Sequence, residues 1–461
     1  MKNNLLVKAP LLRLAVSLMV GIVLGTYVPV GIPLWPLFVG ILLVALLLEK
    51  YENLQSMTII LAFVMLGWAL VKGQWEKVRV DWSDGEVVYE AVVLTDPVEK
   101  AKTMMVDILL IESGHKLKCY LHKDDRSRSL RIGDGLKVQS HIRPNSTWQQ
   151  GRFDYRRYLE VHGYTGQTFV ASWKWQKVEV SLKGLSRIER TRLFMLKQRS
   201  RLLHRLSPEE DTSLESPFYN AYAVVAAMAL GDKSALSREL KETYAVTGAS
   251  HVLALSGLHL SIIYMLLSLL VVDRRWQMCS QVFIVVNIWV FVFLVGMSVT
   301  VVRAAVMVSV YALLSLGHRD KMSVNTLVFT AIGMLIMKPV SLFDAGFQMS
   351  FAAVFAILVL VPLFDRVFPE GFLMSHRVVK WLWALVAVSL AAQIGTAPLV
   401  WYHFGRIPLW SVLTNVVVVP AAGLIVCLAG LTLLFPSCAY LLLYIAATLN
   451  KILQWIQALV S

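Results

Sequence analysis

The chain is short of charge. Only 16% of its 461 residues are Asp, Glu, Lys or Arg, against about 25% in a soluble globular chain. So few charges cannot clothe the whole molecule for water, which excludes a purely soluble protein. Apolar residues take their place, at 57% of the chain with a mean hydropathy of +0.62. Cysteine is scarce as well. Cys119, Cys279, Cys427 and Cys438 show neither metal-ligand nor disulfide spacing, and only Cys119 falls in a polar segment, so the polar part must fold without a covalent staple. A G-x-x-x-x-G-K-[ST] phosphate loop is also missing, so energy from nucleotide hydrolysis would have to come from another protein.

What is present is a series of long apolar runs. Leu14–Val30, Leu34–Leu48 and Met57–Val71 form an N-terminal group. Later runs cover Val252–Val272, Val282–Gly296, Val299–Gly317, Val324–Met337, Phe347–Phe364, Trp381–Tyr402, Leu409–Phe435 and Tyr440–Val460. A span takes roughly 20 residues, so the series predicts an α-helical polytopic membrane protein of about eleven spans. Lys2, Lys8 and Arg13 precede the first run, and no small-x-small cleavage site follows it. That predicts an uncleaved first helix with a cytoplasmic start. Three crossings then put the polar segment after Val71 outside. Asp273–Trp276, Gly317–Lys321 and Asp365–Lys380, with most of the basic charge of the later loops, fall on the cytoplasmic side, and the C-terminus ends outside.

Residues 76–205 are the one large polar block, with 25 Lys and Arg against 16 Asp and Glu, a net of +9 within a chain of net +14. Short alternating runs, Glu86–Leu94, Met104–Glu112, Lys116–Lys123 and Gly135–Ile142, are separated by Ser113-Gly114 and Gly133–Gly135. They predict a small all-β domain, with an OB-type barrel as the natural candidate. Such barrels commonly hold single strands on basic grooves with aromatic platforms. Tyr155, Tyr158, Tyr164, Trp173 and Trp175 are interleaved here with Arg152, Arg156, Arg157 and Lys174; a solvated basic face over an aromatic core gives the same pattern. The stretch Gly184–Leu206 follows, strongly basic, with Leu193, Leu196, Leu203 and Leu206 at helical spacing. It predicts an amphipathic helix on the membrane surface. Ala227–Gly248 has the same interfacial look, broken at Asp232 and Lys233.

Within the apolar regions the informative residues are the costly ones. A charge at the bilayer centre costs about 2.5–3.5 kcal/mol on insertion scales, so a retained one faces a cavity or a partner. Arg303 lies well inside its run. Asp344 and Gln348 are spaced i,i+4 on one helix face, with Asp344 also placed to cap the helix. Gln393 and Asn415 suit helix–helix hydrogen bonds. In "TGASHVLALSGLHLSII" (Thr247–Ile263), a continuous helix would place His251, Ser256 and His259 within one sector of about 140°. Gly257 would admit a close neighbour. Ser256 with His259 hints at an intramembrane serine protease, but rhomboid-type enzymes place their serine in a G-x-S-G turn, and here the residues are Ala254-Leu255-Ser256-Gly257. His251 and His259 lack the i,i+4 spacing of helical zinc sites. A polar lining is the reading left.

Five strings occur in the order seen in ComEC-type competence proteins: "LGDKSALS" (Leu230–Ser237), "GASHVLALSGLHLSII" (Gly248–Ile263), "VTVVRAAVM" (Val299–Met307), "DAGFQMSFAAV" (Asp344–Val354) and "APLVWYHFGRIPLWSVLTNVVVVP" (Ala397–Pro420). The polar block resembles that family's extracellular OB-type domain, notably at "FDYRRYLEVHGYTG" (Phe153–Gly166). The resemblance divides the chain into N-terminal helices (1–75), the OB-like domain (76–182), basic and interfacial helices (183–248) and the competence channel domain (249–461). It implies an inner-membrane channel for single-stranded DNA in natural transformation, without catalysis or cofactor. The expected lining is His251, Ser256, His259, Arg303, Asp344, Gln348 and Asn415; the expected DNA-guiding residues are Arg152, Arg156, Arg157 and Lys174. Implied partners are single-stranded DNA, membrane lipid, a DNA receptor, a cytoplasmic ATPase or helicase and further copies of the chain. Many members continue into a metallo-β-lactamase-like nuclease domain, whose H-x-H-x-D-H motif is absent from these residues; a separate nuclease is therefore expected. The alternative is a transporter for a smaller anionic or lipid-linked substrate, which would not require the polar block to bind DNA.

Overall fold

The computed structural model describes residues 10–28, 33–145, 149–150, 153–206, 217–269, 277–316, 324–405, 407–408 and 410–460. The chain opens with helices α1 (Leu11–Tyr27), α2 (Leu34–Leu47) and α3 (Glu52–Val78). A sheet region follows: β1 (Val87–Val93), β2 (Val98–Glu99), β3 (Thr103–Leu110), β4 (Lys116–His122), β5 (Gly135–Ser140), β6 (Ile142–Arg143), β7 (Gln149–Gln150), β8 (Phe153–Asp154), β9 (Tyr164–Val170) and β10 (Trp175–Val178). It includes the short helices α4 (Asp125–Arg128) and α5 (Tyr155–Val161). The remainder is helical: α6 (Arg187–Leu206), α7 (Pro217–Leu230), α8 (Arg238–Val246), α9 (Gly257–Leu269), α10 (Gln277–Leu294) and α11 (Val299–Leu316). Then come α12 (Val324–Met337), α13 (Ala345–Phe364), α14 (Glu370–Ser375), α15 (Arg377–Phe404), α16 (Ser411–Leu434) and α17 (Ala439–Val460).

Two compact units result, Met1–Ser186 with Met322–Phe351, and Arg187–Lys321 with Ala352–Ser461. Among the described residues, α3, α13, α15, α16 and α17 are long and apolar enough to cross a membrane alone. The other apolar helices, α1, α2, α7, α9, α12 and the apolar parts of α10 and α11, run 10–17 residues. At 1.5 Å per residue, a 14-residue helix reaches about 21 Å, short of a hydrocarbon core about 30 Å thick. The eleven expected runs fall on these five long helices and six of the shorter ones; α7 lies outside them. Two expected loops, Asp273–Trp276 and Gly317–Lys321, lie outside the described residues.

In the first unit, α1 and α3 pack through glycine. A Cβ on Gly21 would fall 1.9 Å from the Val64 carbonyl oxygen, and one on Gly67 would fall 2.3 Å from that of Leu18. Each helix thus lays its backbone on the other, the close approach that small residues permit in membranes. The sheet runs β10-β5-β1-β3-β4-β9-β6, with β2 on β3 and β7 paired to β8. Most neighbours are antiparallel, but β9 lies parallel to β4. Its inner face buries Val106, Ile108, Leu117, Leu121, Leu136 and Val138, the alternate positions that the sequence pattern puts on one side.

In the second unit, α7 is the hub. Its buried Ala223–Met228 stretch packs in one core with Val418, Ala422 and Ile425 of α16 and Leu442, Ala446 and Leu449 of α17. Of the stretch expected to be interfacial, Ala227–Gly248, only Ala227–Leu230 belongs to this packed, alanine-rich helix; the remainder carries α8. Leu203 of α6 packs against Ala226 and Leu230 of α7. Leu193, Leu196 and Leu203 are all buried, while Ile188 and Phe194 stay exposed. The apolar stripe expected to lie on lipid is largely covered by protein. A second core joins α9, α10 and α11 through Leu260, Ile284, Ile288, Val292 and Ala305.

Gly67→Val should destabilise the detergent-solubilised chain by about 3 kcal/mol in thermal melts, the upper end of overpacking costs. Gly73→Ala, with nothing within 4 Å of its added Cβ, should hold or raise the melting temperature because alanine favours helix. Equal melts for both variants would contradict the backbone contact.

Candidate functional site

In the second unit, the polar residues gather around the turn between α8 and α9. Ser237 caps α8 by accepting from the Leu240 N–H at 3.1 Å, and the helix ends at Gly248, whose φ is +78°. A Cβ there would lie 2.7 Å from the Ser411 Cβ and 3.1 Å from the Pro408 Cβ. Glycine thus supplies both the left-handed turn and the room for the start of α16. His251 is exposed in the following turn, its Nδ1 lying 3.2 Å from the Gly248 carbonyl oxygen. The helix expected from Val252 begins only at Gly257. His251 and Ser256 are therefore not on one helical stripe with His259; residues 251–256 form turns, bends and irregular backbone.

Ser256 and His259 close the start of α9. The Ser256 N–H donates to His259 Nδ1 at 3.3 Å, and the Ser256 hydroxyl lies 3.0 Å from the same nitrogen. This is half of a capping box with imidazole in the place of glutamate. Because Nδ1 accepts a backbone N–H, the ring proton of the neutral imidazole sits on Nε2. That nitrogen is buried with no hydrogen-bond partner among the described residues, and His259 as a whole is 1% exposed. Leaving such a donor unmatched costs about 1–3 kcal/mol.

The same turn is tied to α11. Thr300 Oγ1 donates to the Leu255 carbonyl at 2.9 Å, and a Cβ on Gly257 would sit 3.8 Å from the Ala304 Cβ. Arg303, the neighbour of Ala304, is 3% exposed and makes polar contacts within the protein. On the Ser411 side, Gln393 Nε2 donates to the Pro408 carbonyl at 2.8 Å, and Ser411 Oγ donates to Gln393 Oε1 at 2.9 Å. Asn415 Nδ2 reaches Ser389 Oγ at 3.3 Å, leaving Asn415 Oδ1 buried and unmatched among the described residues. Ser389 and Ser411, which sequence reasoning missed, complete this network; serine in an apolar run carries too little signal to single out.

Asp344 and Gln348 lie elsewhere, in the first unit. Asp344 caps α13, Oδ1 accepting from the Phe347 N–H at 2.9 Å. Gln348 Nε2 reaches back to the Leu342 carbonyl at 2.8 Å. The second Asp344 oxygen faces His162 Nε2 at 3.5 Å. Burial holds the His162 imidazole below its ordinary value of 6.5, against the pull of Asp344.

Of the expected DNA-guiding residues, Arg152 lies outside the described residues. Arg156 Nε binds Glu160 at 2.9 Å, Arg157 Nη1 donates to the Tyr27 hydroxyl at 2.8 Å, and Lys174 pairs with Glu86. An aromatic strip lies on the sheet instead. Phe169, 58% exposed, stacks on Tyr120 with centroids 4.8 Å apart. The Tyr120 hydroxyl meets that of Tyr155 at 3.4 Å, and Tyr155 stacks on Tyr158. Alongside, Lys116 and Lys118 stand 3.9 and 4.6 Å over the Tyr164 ring. Trp173 is 82% exposed. Tyr120 and Phe169 were missed, although the alternation Lys116, Lys118, Tyr120 along β4 puts these three on one face.

The comparisons with known proteins bear on the second unit most. A family model described as "Competence protein" matches residues 228–461. The chain belongs to the competence-protein family. It is 27% identical over 332 residues to ComE operon protein 3 of Bacillus subtilis (strain 168), which covers 69% of this chain and 38% of that protein. An uncharacterized protein of Aquifex aeolicus (strain VF5) is 32% identical over 184 residues, 40% of this chain and 41% of its own. The uncharacterized protein YcaI of Escherichia coli (strain K12) is 24% identical over 213 residues, 43% of this chain and 27% of its own. The chain thus spans well under half the length of each of these relatives. No solved structure matches it significantly. The matched region contains His251, Ser256, His259, Arg303, Gln393, Ser411 and Asn415, so the polar network belongs to the competence domain.

The His162 geometry sets a pH dependence. The unfolded chain gains this proton near 6.5, the folded chain only at lower pH. Below 6.5 the unfolded state binds more protons, so stability falls as pH is lowered through that region. Between pH 7.5 and 5.5 the wild-type melting temperature should drop more than that of His162→Gln. An equal drop in both would show that His162 does not carry the effect.

Proposed function

We propose that the chain is the membrane path for single-stranded DNA in natural transformation, set in the cytoplasmic membrane with its β domain on the outer side. The observation that carries this reading is the set of polar residues inside the competence domain, among them His259 and Asn415, whose Nε2 and Oδ1 are buried and unmatched among the described residues. A polyanion crossing lipid needs donors along its way, and donors that meet phosphates without reading bases suit a carrier of any sequence. Binding must stay weak enough for release. With His259 and Arg303 buried, the path is shut in this state, and passage requires α9 and α11 to part enough for water to enter.

The β domain would receive the strand. Its crossover, in which β9 inserts beside β4 in parallel, supports an OB-type barrel. Phe169, Tyr120 and Trp173 offer stacking faces of the kind such barrels use, beside Lys116 and Lys118, which are both paired with Asp107. Arg156, Arg157 and Lys174 would add to the field rather than supply free donors. The driving force, strand separation and degradation of the second strand are assigned to partners: a receptor, a cytoplasmic ATPase or helicase, and a separate nuclease. Asp344 and Gln348 would contribute through the start of α13, which their hydrogen bonds hold in shape.

The test is uptake of labelled DNA by competent cells carrying variants at Arg303. Arg303→Ala should abolish entry into the cytoplasm while surface DNA binding and protein level stay near normal, and Arg303→Lys should retain part of the activity, since the charge persists without the planar fork. A reporter fused near Gly151 should read as extracytoplasmic. Normal uptake by well-expressed Arg303→Ala would overturn the assignment. Loss of the protein from the membrane would mark Arg303 as structural, because removing one partner of a buried charge costs about 3–5 kcal/mol.

A further inference from the structure

The first unit contains a cleft of about 390 Å³ where the C-terminal ends of α1 and α3 meet α5. Tyr27, Trp75, Arg79, Arg156, Arg157 and Glu160 line it. Three arginines face two carboxylates there, and both carboxylates are already engaged. Glu160 accepts from Arg79 at 3.1 Å and from Arg156 at 2.9 Å. Asp154 caps α5 by accepting from the Arg157 N–H at 2.9 Å. Among the described residues the Arg157 side chain has no acid of its own. Its Nη1 donates to the Tyr27 hydroxyl at 2.8 Å, its plane lies 4.3 Å from the Phe343 ring, and its Nη2 is buried with no hydrogen-bond partner among the described residues. A guanidinium so held, with one edge unused, fits a phosphate oxygen.

The location decides which phosphate. Tyr27 is the last residue of α1, and Trp75 lies in the last turn of α3. Trp75 Nε1 donates to Thr26 Oγ1 at 3.3 Å. Trp and Tyr at the ends of apolar helices mark headgroup depth, and basic pockets between membrane helices take anionic headgroups. We propose that this cleft binds the phosphate of an anionic phospholipid headgroup, with Arg157 as the principal donor. The lipid then ties the β domain to the membrane helices of its own unit at a defined depth. A nucleic acid would have to displace lipid to reach the same guanidinium. The proposal gives Arg157 a different task from the DNA contact expected of it and is independent of the transport reading.

Native mass spectrometry of the delipidated, detergent-solubilised full chain with added phosphatidylglycerol tests it. Wild type should retain one lipid tightly, phosphatidylcholine far less, and Arg157→Ala should weaken phosphatidylglycerol retention about tenfold, the scale of one lost charge-assisted hydrogen bond. Should Arg157→Ala fail to fold, Arg157→Lys keeps the charge without the Nη2 donor and should still weaken retention. Excess inorganic phosphate or a thymidine oligonucleotide should leave the lipid bound. Equal retention of the two lipids by wild type, unchanged retention in the folded variant, or displacement by the oligonucleotide would each overturn the proposal, the last pointing to a nucleic-acid site.

Discussion

Within a bilayer, every polar group must find its partner inside the protein, and this requirement organises the helices. Most hydroxyls meet it locally by donating to the carbonyl four residues back. Ser17, Thr26, Ser261, Ser309, Thr330, Thr396 and Thr432 all do so, at 2.7 to 2.8 Å for most of them and 2.9 Å for Thr330. Such residues are polar in composition but silent in chemistry. The longer side chains cannot hide this way. Gln393 and Asn415 reach across to Pro408 and Ser389, and His259 turns back on its own helix start. Among the described residues His259 Nε2 and Asn415 Oδ1 stay buried and unmatched, as do Gln281 Oε1, Trp383 Nε1 and Asn450 Nδ2, all of them in the competence domain.

Close packing by small residues makes those contacts available. Gly248 admits Ser411 to the turn that carries His251. Gly395 lets α15 press onto α13, its Cβ position only 2.4 Å from the Ala356 Cβ. Gly21 and Gly67 do the same for α1 and α3. Lipid supplies little hydrophobic drive between helices, so backbone approach and side-chain hydrogen bonds help hold the helices within each unit.

How much of this the sequence disclosed depends on the range of the interaction. Period-two alternation placed β1, β3, β4 and β5 within a residue or two. It missed β9, because "YTGQTFV" is buried on nearly every side and owes its strand to a parallel partner more than forty residues earlier. The basic helix α6 was legible from its leucine spacing, but not what covers those leucines. The stretch Ala227–Gly248 looked interfacial throughout, whereas its first residues, Ala227–Leu230, end the alanine-rich α7 and are packed inside or half-buried. At the site, Ser256, His259, Arg303 and Asn415 stood out as costly residues, and the structure ties Ser256 to His259. The helical stripe with His251 did not materialise, since Gly248 and the turn after it delay α9 to Gly257. Asp344 was readable as a cap from its position alone. Its His162 neighbour was not, because that pairing joins the β domain to α13.

The central claim is that DNA passes the unmatched polar groups of the competence domain. It is tested most directly by placing a photo-crosslinking residue at position 259 or 415 and irradiating competent cells during uptake of labelled DNA. The account predicts covalent adducts with single-stranded DNA at both positions, and none at position 286 or 290, where Val286 and Val290 are exposed on the apolar surface of α10. Continued uptake without an adduct at 259 or 415 would contradict it.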